Sequence, residues 1–208
     1  MIEFEDIRRA AKRIAPHVRR TPLVEAVALE QSPTQANLFL KLECLQVTGS
    51  FKARGATSKL LATPKSELEA GVVTASGGNH GLAVARAARM AGVPATIFVP
   101  RTTSPAKITR LRNSGARVEV VGAVWNETNP VALDFAAEYG AAYFHPFADP
   151  AVMAGQGTMA IEIIEQNPDL DAVLIAIGGG GLIGGMSVAL KALKPSIRII
   201  GIEPVGCP

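Results

Sequence analysis

Residues 172–193 read AVLIAIGGGGLIGGMSVALKAL. An apolar run typical of a buried strand, Ala172 to Ile177, passes through four glycines into an apolar segment of helical length, Leu182 to Leu193. A strand, a glycine turn and a helix form the repeating unit of a parallel sheet with crossover helices. This stretch therefore predicts an α/β fold, with a glycine turn at the end of one strand.

The same alternation of short β-branched runs and longer Ala-rich stretches continues along the chain. It predicts strands over residues 38–43, 72–76, 95–100, 117–122, 142–147, 172–177 and 198–203. It predicts helices over residues 50–62, 79–92, 105–115, 124–140, 150–166 and 182–193. An N-terminal amphipathic helix places Ile7, Ala11 and Ile14 on one face, and Thr21-Pro22-Leu23 ends it. The strands form one large sheet or two smaller ones.

The composition excludes several classes of protein. The chain has 208 residues, 48% of them hydrophobic, and 21 Lys+Arg against 18 Asp+Glu, which is the range of a globular domain. The basic residues are scattered and aromatics are few, so no nucleic-acid partner is expected. Neither a membrane span nor a secretory leader is recognisable. With Cys44 and Cys207 far apart in sequence, we expect a soluble protein of the reducing cytoplasm.

The first candidate site is Thr48-Gly49-Ser50-Phe51-Lys52-Ala53-Arg54-Gly55-Ala56, where a strand passes into a helix. Lys52 falls in the first helical turn, where the helix dipole disfavours a cation. One interpretation is a solvated lysine on a helix face. The other is an amine whose pKa is lowered by the helix end and by Arg54, so that it can attack a carbonyl and form a Schiff base.

The second candidate site is Ser76-Gly77-Gly78-Asn79-His80-Gly81, between a strand and a helix. Glycines let backbone N–H groups approach an anion at the helix N-terminus, and Ser76 and Asn79 add donors, so a carboxylate or phosphate fits. The alternative is a plain turn with Asn79 as N-cap. His80 alone is more typical of a structural hydrogen-bonding residue than of a base. Since no Cys or other His lies near it in sequence, it does not predict a metal site.

The third candidate site is the glycine run after residue 177. Four consecutive glycines lose much backbone entropy on ordering, which favours a bound group, most simply a phosphate. A Walker loop is excluded because no Lys-Ser or Lys-Thr follows. Gly179, Gly181 and Gly184 also fit the dinucleotide motif, with Glu203 placed 19 residues after Gly184 for a ribose. A nicotinamide-dependent Rossmann protein and a glycine turn without ligand therefore remain alternatives.

Taken in order, Ser50 to Ala56, Ser76 to Gly81 and Gly178 to Leu182 resemble the fold-type II pyridoxal-phosphate enzymes of the threonine/serine dehydratase and serine racemase group. The resemblance covers essentially the whole chain. It implies two open α/β domains with mostly parallel sheets, as in the tryptophan-synthase-β-like fold. The small domain would comprise residues 48–145, and the large domain residues 1–47 and 146–208.

Members of this group are longer, so the resemblance also implies that the C-terminal part of the large domain is missing from a fragment or is supplied by a partner. These residues alone are therefore expected to be nearly inactive. The predicted strand at residues 198–203 reads as buried on both faces. Because no helix follows it, we expect one of its apolar sides to lie open.

The resemblance also implies roles for individual residues. Lys52 would form the Schiff base with pyridoxal 5'-phosphate, Phe51 would pack beside the ring, and Asn79 would bond the ring hydroxyl. The phosphate would lie on five consecutive backbone groups, those of Gly178, Gly179, Gly180, Gly181 and Leu182. The substrate would be held by the second candidate site through Ser76, Gly77, Asn79 and His80, with its carboxylate at Ser76 and the neighbouring backbone.

The implied reaction is the conversion of L-threonine or L-serine to a keto acid and ammonia, with the Lys52 amine taking the α-proton. Related racemases carry a serine at the position of Gly77, so elimination is expected over racemisation. A racemase, another β-eliminating lyase and a relative that binds no cofactor remain alternatives. The resemblance further implies Mg²⁺ or Ca²⁺ at Glu203, against a solvated glutamate, and a homodimer or homotetramer.

Overall fold

The structure is a computed structural model that describes residues 2–27 and 34–206, so Cys207 lies outside it. Within these ranges the helices are α1 (Phe4–Ile14), α2 (Lys52–Ala62), α3 (Asn79–Ala91), α4 (Pro105–Asn113), α5 (Trp125–Tyr139), α6 (Pro150–Gln166) and α7 (Gly181–Leu193). The strands are β1 (Leu23–Glu25), β2 (Phe39–Lys41), β3 (Val72–Ala75), β4 (Ala95–Val99), β5 (Arg117–Val120), β6 (Ala142–Tyr143), β7 (Ala172–Ala176) and β8 (Arg198–Ile202). None of these helices is long and apolar enough to cross a membrane.

The largest sheet has the strand order β5-β4-β3-β6, and its strands are all parallel. Every residue of β3 and β4 is buried, because both faces of the sheet are covered. Val72 and Ile97 lie in a cluster with residues of α2 and α3, while Val73 and Phe98 pack with residues of α5 on the other face. The carboxyl ends of β3 and β4 therefore meet at one edge, directly before the turn at Ser76.

Two smaller sheets complete the fold: β1 and β2 pair antiparallel, and β7 and β8 pair parallel. Residues of α1, α6, α7, β7 and β8 form a second core. The outer face of the β7–β8 pair is open, since Leu174 is 61% and Ile202 is 48% exposed. The open apolar side expected for residues 198–203 is thus present.

Two predicted elements differ from the structure. Strand β1 lies where a helix breaker was predicted, because three residues are too short to show a period. Strand β6 ends at Tyr143 rather than at residue 147. Pro146 has no N–H to give a sheet ladder, and the chain turns here before α6 begins. The predicted division into domains 48–145 and 1–47 with 146–208 stays a prediction.

A buried network of charges joins α2 to α6 and to the segment around β2. The Arg54 side chain is fully buried and pairs with Glu43 at 2.7 Å and with Glu162 at 2.6 Å. Lys41 reaches the other oxygen of Glu162 at 2.6 Å. Burial alone would lower the pKa of Arg54, but the two carboxylates outweigh it and raise that pKa. The network fixes α2 two residues after Lys52.

Replacing Glu162 by glutamine tests this network. Burial would raise the pKa of Glu162, but Arg54 and Lys41 outweigh it and hold the pKa below its ordinary value of 4.5. A lowered carboxyl pKa stabilises the fold above pH 4.5 and stops doing so as the pH falls through the lower value. Urea unfolding should therefore show Glu162→Gln to be less stable by about 3–5 kcal/mol at pH 7. This difference should shrink below pH 4.5.

Glu165→Gln on the same helix is the control, because its pair with Arg20 is half exposed and is expected to contribute less than about 1 kcal/mol. Equal losses for Glu162→Gln and Glu165→Gln at pH 7 would show that the buried network does not stabilise the fold.

Candidate active site

Lys52 lies in the first turn of α2, as the sequence predicts, although the helix begins at Lys52 and not at residue 50. Its Nζ donates a hydrogen bond to the Pro146 carbonyl at 2.7 Å and lies 5.3 Å from the centre of the Phe51 ring. Burial lowers the pKa of the Lys52 amine to about 8. The prediction that Arg54 lowers this pKa is wrong, because the Arg54 charge is engaged with Glu43 and Glu162. Near pH 8 a large fraction of the amine is neutral and nucleophilic.

The second candidate site lies at the carboxyl end of β3. Its helix, α3, has 13 residues and begins at Asn79 with Gly78 as N-cap, so the alternative that Asn79 is the N-cap is wrong. The Ser76 hydroxyl accepts a hydrogen bond from the Gly78 N–H at 3.3 Å. Backbone N–H groups in the first turn of α3 point toward this end without carbonyl partners in the helix. The turn is thus suited to an anion such as a carboxylate.

His80 is almost completely buried beneath this turn. Its Nε2 lies 3.1 Å from the Phe144 carbonyl, which makes Nε2 the protonated nitrogen. Burial lowers the pKa of His80 to about 3, so the ring is neutral at ordinary pH. Its Nδ1 is buried and has no hydrogen-bond partner within the described residues. These features agree with a structural histidine, and contact of His80 with a substrate stays a prediction.

The glycine loop follows β7 and leads into α7, which begins at Gly181. Gly178 and Gly180 have positive φ values of +51° and +80°, and a methyl group on either would meet nothing within 4 Å. A methyl group on Gly179 would instead lie 2.3 Å from the Phe147 ring. The loop is therefore packed on one side and borders open space on the other. The first N–H groups of α7, those of Gly181 and Leu182, lack carbonyl partners in the helix, as an anion site requires.

Lys52 and the glycine loop meet at the dipeptide Pro146-Phe147. The amine donates to the Pro146 carbonyl, and the adjacent Phe147 ring packs against Gly179. A partly buried amine of lowered pKa and a helix N-terminus behind a glycine loop are the groups that an aldehyde and a phosphate need. The residues present therefore fit pyridoxal phosphate.

A cleft of about 410 Å³ opens beside this dipeptide. Its walls come from the ends of β3 and β4, from α4 and α5 and from the dipeptide itself: Ala75, Ser76, Gly77, Pro100, Thr102, Thr103, Lys107, Trp125, Pro146 and Phe147. The lining does not include Lys52 or Gly178 to Gly181. Thr103, Lys107 and Trp125 were not among the residues predicted from the sequence. Their position after the carboxyl ends of the neighbouring parallel strands β4 and β5 is the signal that could have indicated them.

The space beside Gly77 is filled by a neighbouring side chain. A methyl group on Gly77 would lie 2.7 Å from Thr103 Oγ1 and 2.8 Å from Thr103 Cγ2. Both distances are too short for real contacts, so the two residues cannot both carry full side chains without movement. A residue with a β-carbon at position 77 would therefore require the Thr103 side chain to move.

Glu203 follows β8 and is exposed. Within the described ranges, no group of three or more His, Cys, Asp or Glu side chains is arranged to hold a metal ion. The backbone carbonyl of Cys207, four residues after Glu203, falls outside those ranges. A metal ion at Glu203 stays a prediction.

Comparisons with known proteins agree with this geometry. A family model described as "Pyridoxal-phosphate dependent enzyme" matches residues 14–208. An L-threonine ammonia-lyase of Thermotoga maritima is 44% identical over 208 residues, which are 100% of this chain and 52% of that protein. The chain thus spans about half the length of that relative.

Solved structures are similar as well. Maize serine racemase superposes with a TM-score of 0.93 at 39% identity, covering 98% of this chain and 62% of that one. The processed form of threonine deaminase isoform 2 from Solanum lycopersicum superposes with a TM-score of 0.91 at 37% identity, covering 97% of this chain and 55% of that one. These similarities match the predicted α/β fold with parallel sheets.

Proposed function

The chain belongs to the family of pyridoxal-phosphate-dependent enzymes, and from that premise we propose that it is an ammonia-lyase converting L-threonine or L-serine to the keto acid and ammonia. The observation that carries the proposal is the partly buried Lys52 amine, of lowered pKa, beside the glycine loop. A nicotinamide cofactor would leave this amine without a role. The similarity to an L-threonine ammonia-lyase supports the choice of reaction.

Each candidate site has a part in this proposal. Pyridoxal phosphate, when bound, withdraws electrons from the α-carbon of the amino acid and so makes its hydrogen acidic. Lys52 and the loop from Gly178 to Leu182 would hold the cofactor, with Phe51 and Asn79 beside its ring. The turn at Ser76 would bind the substrate carboxylate. The neutral Lys52 amine, with a pKa of about 8, can then accept the α-proton.

The absence of a side chain at Gly77 favours elimination over racemisation. Inverting the α-carbon requires an acid on the face opposite the base, and glycine supplies none. The Thr103 side chain occupies the adjoining space. Loss of the β-hydroxyl as water, followed by hydrolysis that frees ammonia, then takes the substrate to the keto acid with no net consumption of water.

The test follows the α-hydrogen and the products together. The protein is prepared with any C-terminal residues that its gene encodes, because the resemblance implies that residues 1–208 alone are nearly inactive. It is loaded with pyridoxal phosphate and incubated with L-threonine deuterated at the α-carbon, and with L-serine in parallel. We expect loss of the deuterium and release of keto acid and ammonia in equal amounts. Retention of the α-deuterium would contradict the proposal. Accumulation of the D-amino acid without keto acid would favour the racemase alternative.

The effect of Gly77→Ser on folding stability and on racemisation is predicted to depend on the side chain of Thr103. Because a β-carbon at position 77 would lie 2.7 Å from Thr103 Oγ1, the single variant should lose about 1–3 kcal/mol of folding stability. The double variant Gly77→Ser/Thr103→Ala should recover most of this loss, and we expect it to show the larger increase in racemisation. Urea unfolding and chiral product analysis measure the two effects. Additive losses in the double variant would mean that the two side chains do not compete.

We extend the proposal to the localisation, oligomeric state, domain division and metal binding of the enzyme. The metabolic reaction and the lack of a membrane-spanning helix among the described residues are compatible with a cytoplasmic enzyme. The family resemblance supports a homodimer or homotetramer, a small domain of residues 48–145, and Mg²⁺ or Ca²⁺ at Glu203. Light scattering tests the oligomeric state, and thermal melts with millimolar Mg²⁺ or Ca²⁺ test the metal site at Glu203.

A further inference from the structure

His145 lies in the turn that follows β6. Its Nδ1 accepts two backbone hydrogen bonds, from the Phe147 N–H at 3.2 Å and from the Ala148 N–H at 2.8 Å. A nitrogen that accepts cannot carry a hydrogen, so the ring is neutral with its hydrogen on Nε2. Burial lowers the pKa of His145. The negative charge of Asp149 opposes this shift, and the positive charge of Lys52 adds to it. His145 thus closes the turn as a neutral acceptor.

This turn contains the carbonyl that receives Lys52. The Pro146 C=O and the Phe147 N–H belong to one planar peptide group, in which they point in opposite directions. Because His145 Nδ1 holds the N–H end, it also sets the direction of the C=O end. That carbonyl accepts from Lys52 Nζ at 2.7 Å. The orientation of a single peptide group therefore links His145 to Lys52.

The same turn also reaches the glycine loop. Phe147 lies so close that a methyl group on Gly179 would be 2.3 Å from its ring, and one on Gly181 would be 2.6 Å from its carbonyl oxygen. The His145 and Phe147 rings meet edge to face with their centres 4.5 Å apart. A change in the turn would therefore displace both the acceptor of Lys52 and the wall of the loop.

We propose that His145 is a positioning residue that, through the Pro146-Phe147 peptide group, fixes Lys52 relative to the glycine loop. The inference deepens the proposed function and rests on it for its consequence in catalysis. The positioning of Lys52 by His145 requires only hydrogen bonds within the chain and no bound cofactor. His145 does not touch the reacting atoms in this proposal.

Two variants separate the acceptor from the ring. In His145→Asn the side-chain oxygen takes the place of Nδ1, since both atoms are bonded to Cγ. In His145→Gln the amide lies one carbon farther out and cannot reach the same two N–H groups. Both variants lose the ring and its contacts with Trp125, Tyr143 and Phe147 equally. Differences between them therefore report on the acceptor.

The first measurement uses the chain without cofactor. The pH dependence of trace acetylation of Lys52, followed by peptide mass spectrometry with Lys59 as internal reference, gives the pKa of the amine. With Gln the turn loosens and admits water, so this pKa should rise from about 8 toward its ordinary value of 10.5. With Asn it should stay near 8. Identical titration of Lys52 in both variants would overturn the proposal.

The second measurement uses the loaded enzyme. Since a small misplacement of a reacting group can cost up to about 100-fold in rate, kcat should fall about 10- to 100-fold with Gln, while KM changes little. Asn should restore kcat to within about twofold of the original chain. Equal kcat values in the two variants would contradict the proposal. Because the resemblance implies that residues 1–208 alone are nearly inactive, turnover is measured on the protein with any C-terminal residues that its gene encodes. If that protein shows no turnover, the proposed function fails, while the titration of Lys52 still decides the role of His145.

Discussion

Lys52→Ala is expected to lower the release of keto acid by at least about 1,000-fold, because in the proposed function Lys52 is both the covalent anchor and the base. The chain should remain folded. At neutral pH the fold bears the cost of burying a charged amine whose pKa is lowered to about 8, so the alanine variant should be at least as stable. Activity of the unmodified chain should rise as the pH increases through about 8.

Borohydride reduction identifies the anchor directly. In the unmodified chain loaded with pyridoxal phosphate, peptide mapping should find the pyridoxyl group on Lys52. Lys59→Ala is the control, since Lys59 lies on the same helix and pairs with Asp149 at 2.9 Å. That variant should keep the label on Lys52. A label on Lys41 or Lys59 in the unmodified chain would show that the assignment of Lys52 is wrong.

Gly185→Ala is expected to have the largest effect on folding, with a loss of about 4 kcal/mol or more in the free energy of unfolding. Its added carbon would lie 2.1 Å from the Met153 carbonyl oxygen, so α6 and α7 would have to separate. Gly157 faces it from α6, where an added carbon would lie 2.7 Å from the Gly185 oxygen. Because α7 carries the glycine loop, weaker binding of pyridoxal phosphate should accompany the loss.

Gly184→Ala is the matched control, one residue earlier in the same helix. Its added carbon would meet the flexible end of Met153 at 2.9 Å, and a helical Gly→Ala change gains up to about 1 kcal/mol. We therefore expect a change near zero. Urea unfolding compares the two variants, and similar midpoints would mean that the close contact of α6 with α7 is less strict than the structure shows.

The alternating pattern predicted the parallel sheet and most helices because buried strands and amphipathic helices have different periods. Lys52 and the glycine loop were predicted because each stands out locally, as a cation at a helix start and as a costly run of glycines. The cause of the low Lys52 pKa was predicted wrongly. Arg54 pairs with Glu43 and Glu162 rather than acting on the Lys52 amine. Glu162 lies far from Arg54 in sequence, so this pairing could not be seen in the local pattern.

His145 shows why other parts of the site could not be predicted. The apolar residues from Ala142 to Phe147 resemble a strand, and the proline within them was the available sign of a turn. Two hydrogen bonds to one ring nitrogen leave no periodic trace in a sequence. The same holds for Thr103 beside Gly77, whose close approach arises from the packing of two separate strand ends.

The contacts around α2 also bear on how the chain acquires its reactive lysine during folding. Lys52 reaches a carbonyl 94 residues away, and Arg54 pairs with a carboxylate 108 residues away. Contacts between such distant residues form slowly, because long loops must close first. We therefore expect Lys52 of a newly made chain to behave as an ordinary lysine until the turn at Pro146 reaches α2, and aldehydes present before then to find no preferred amine. Selective loading with cofactor should be among the last events of folding.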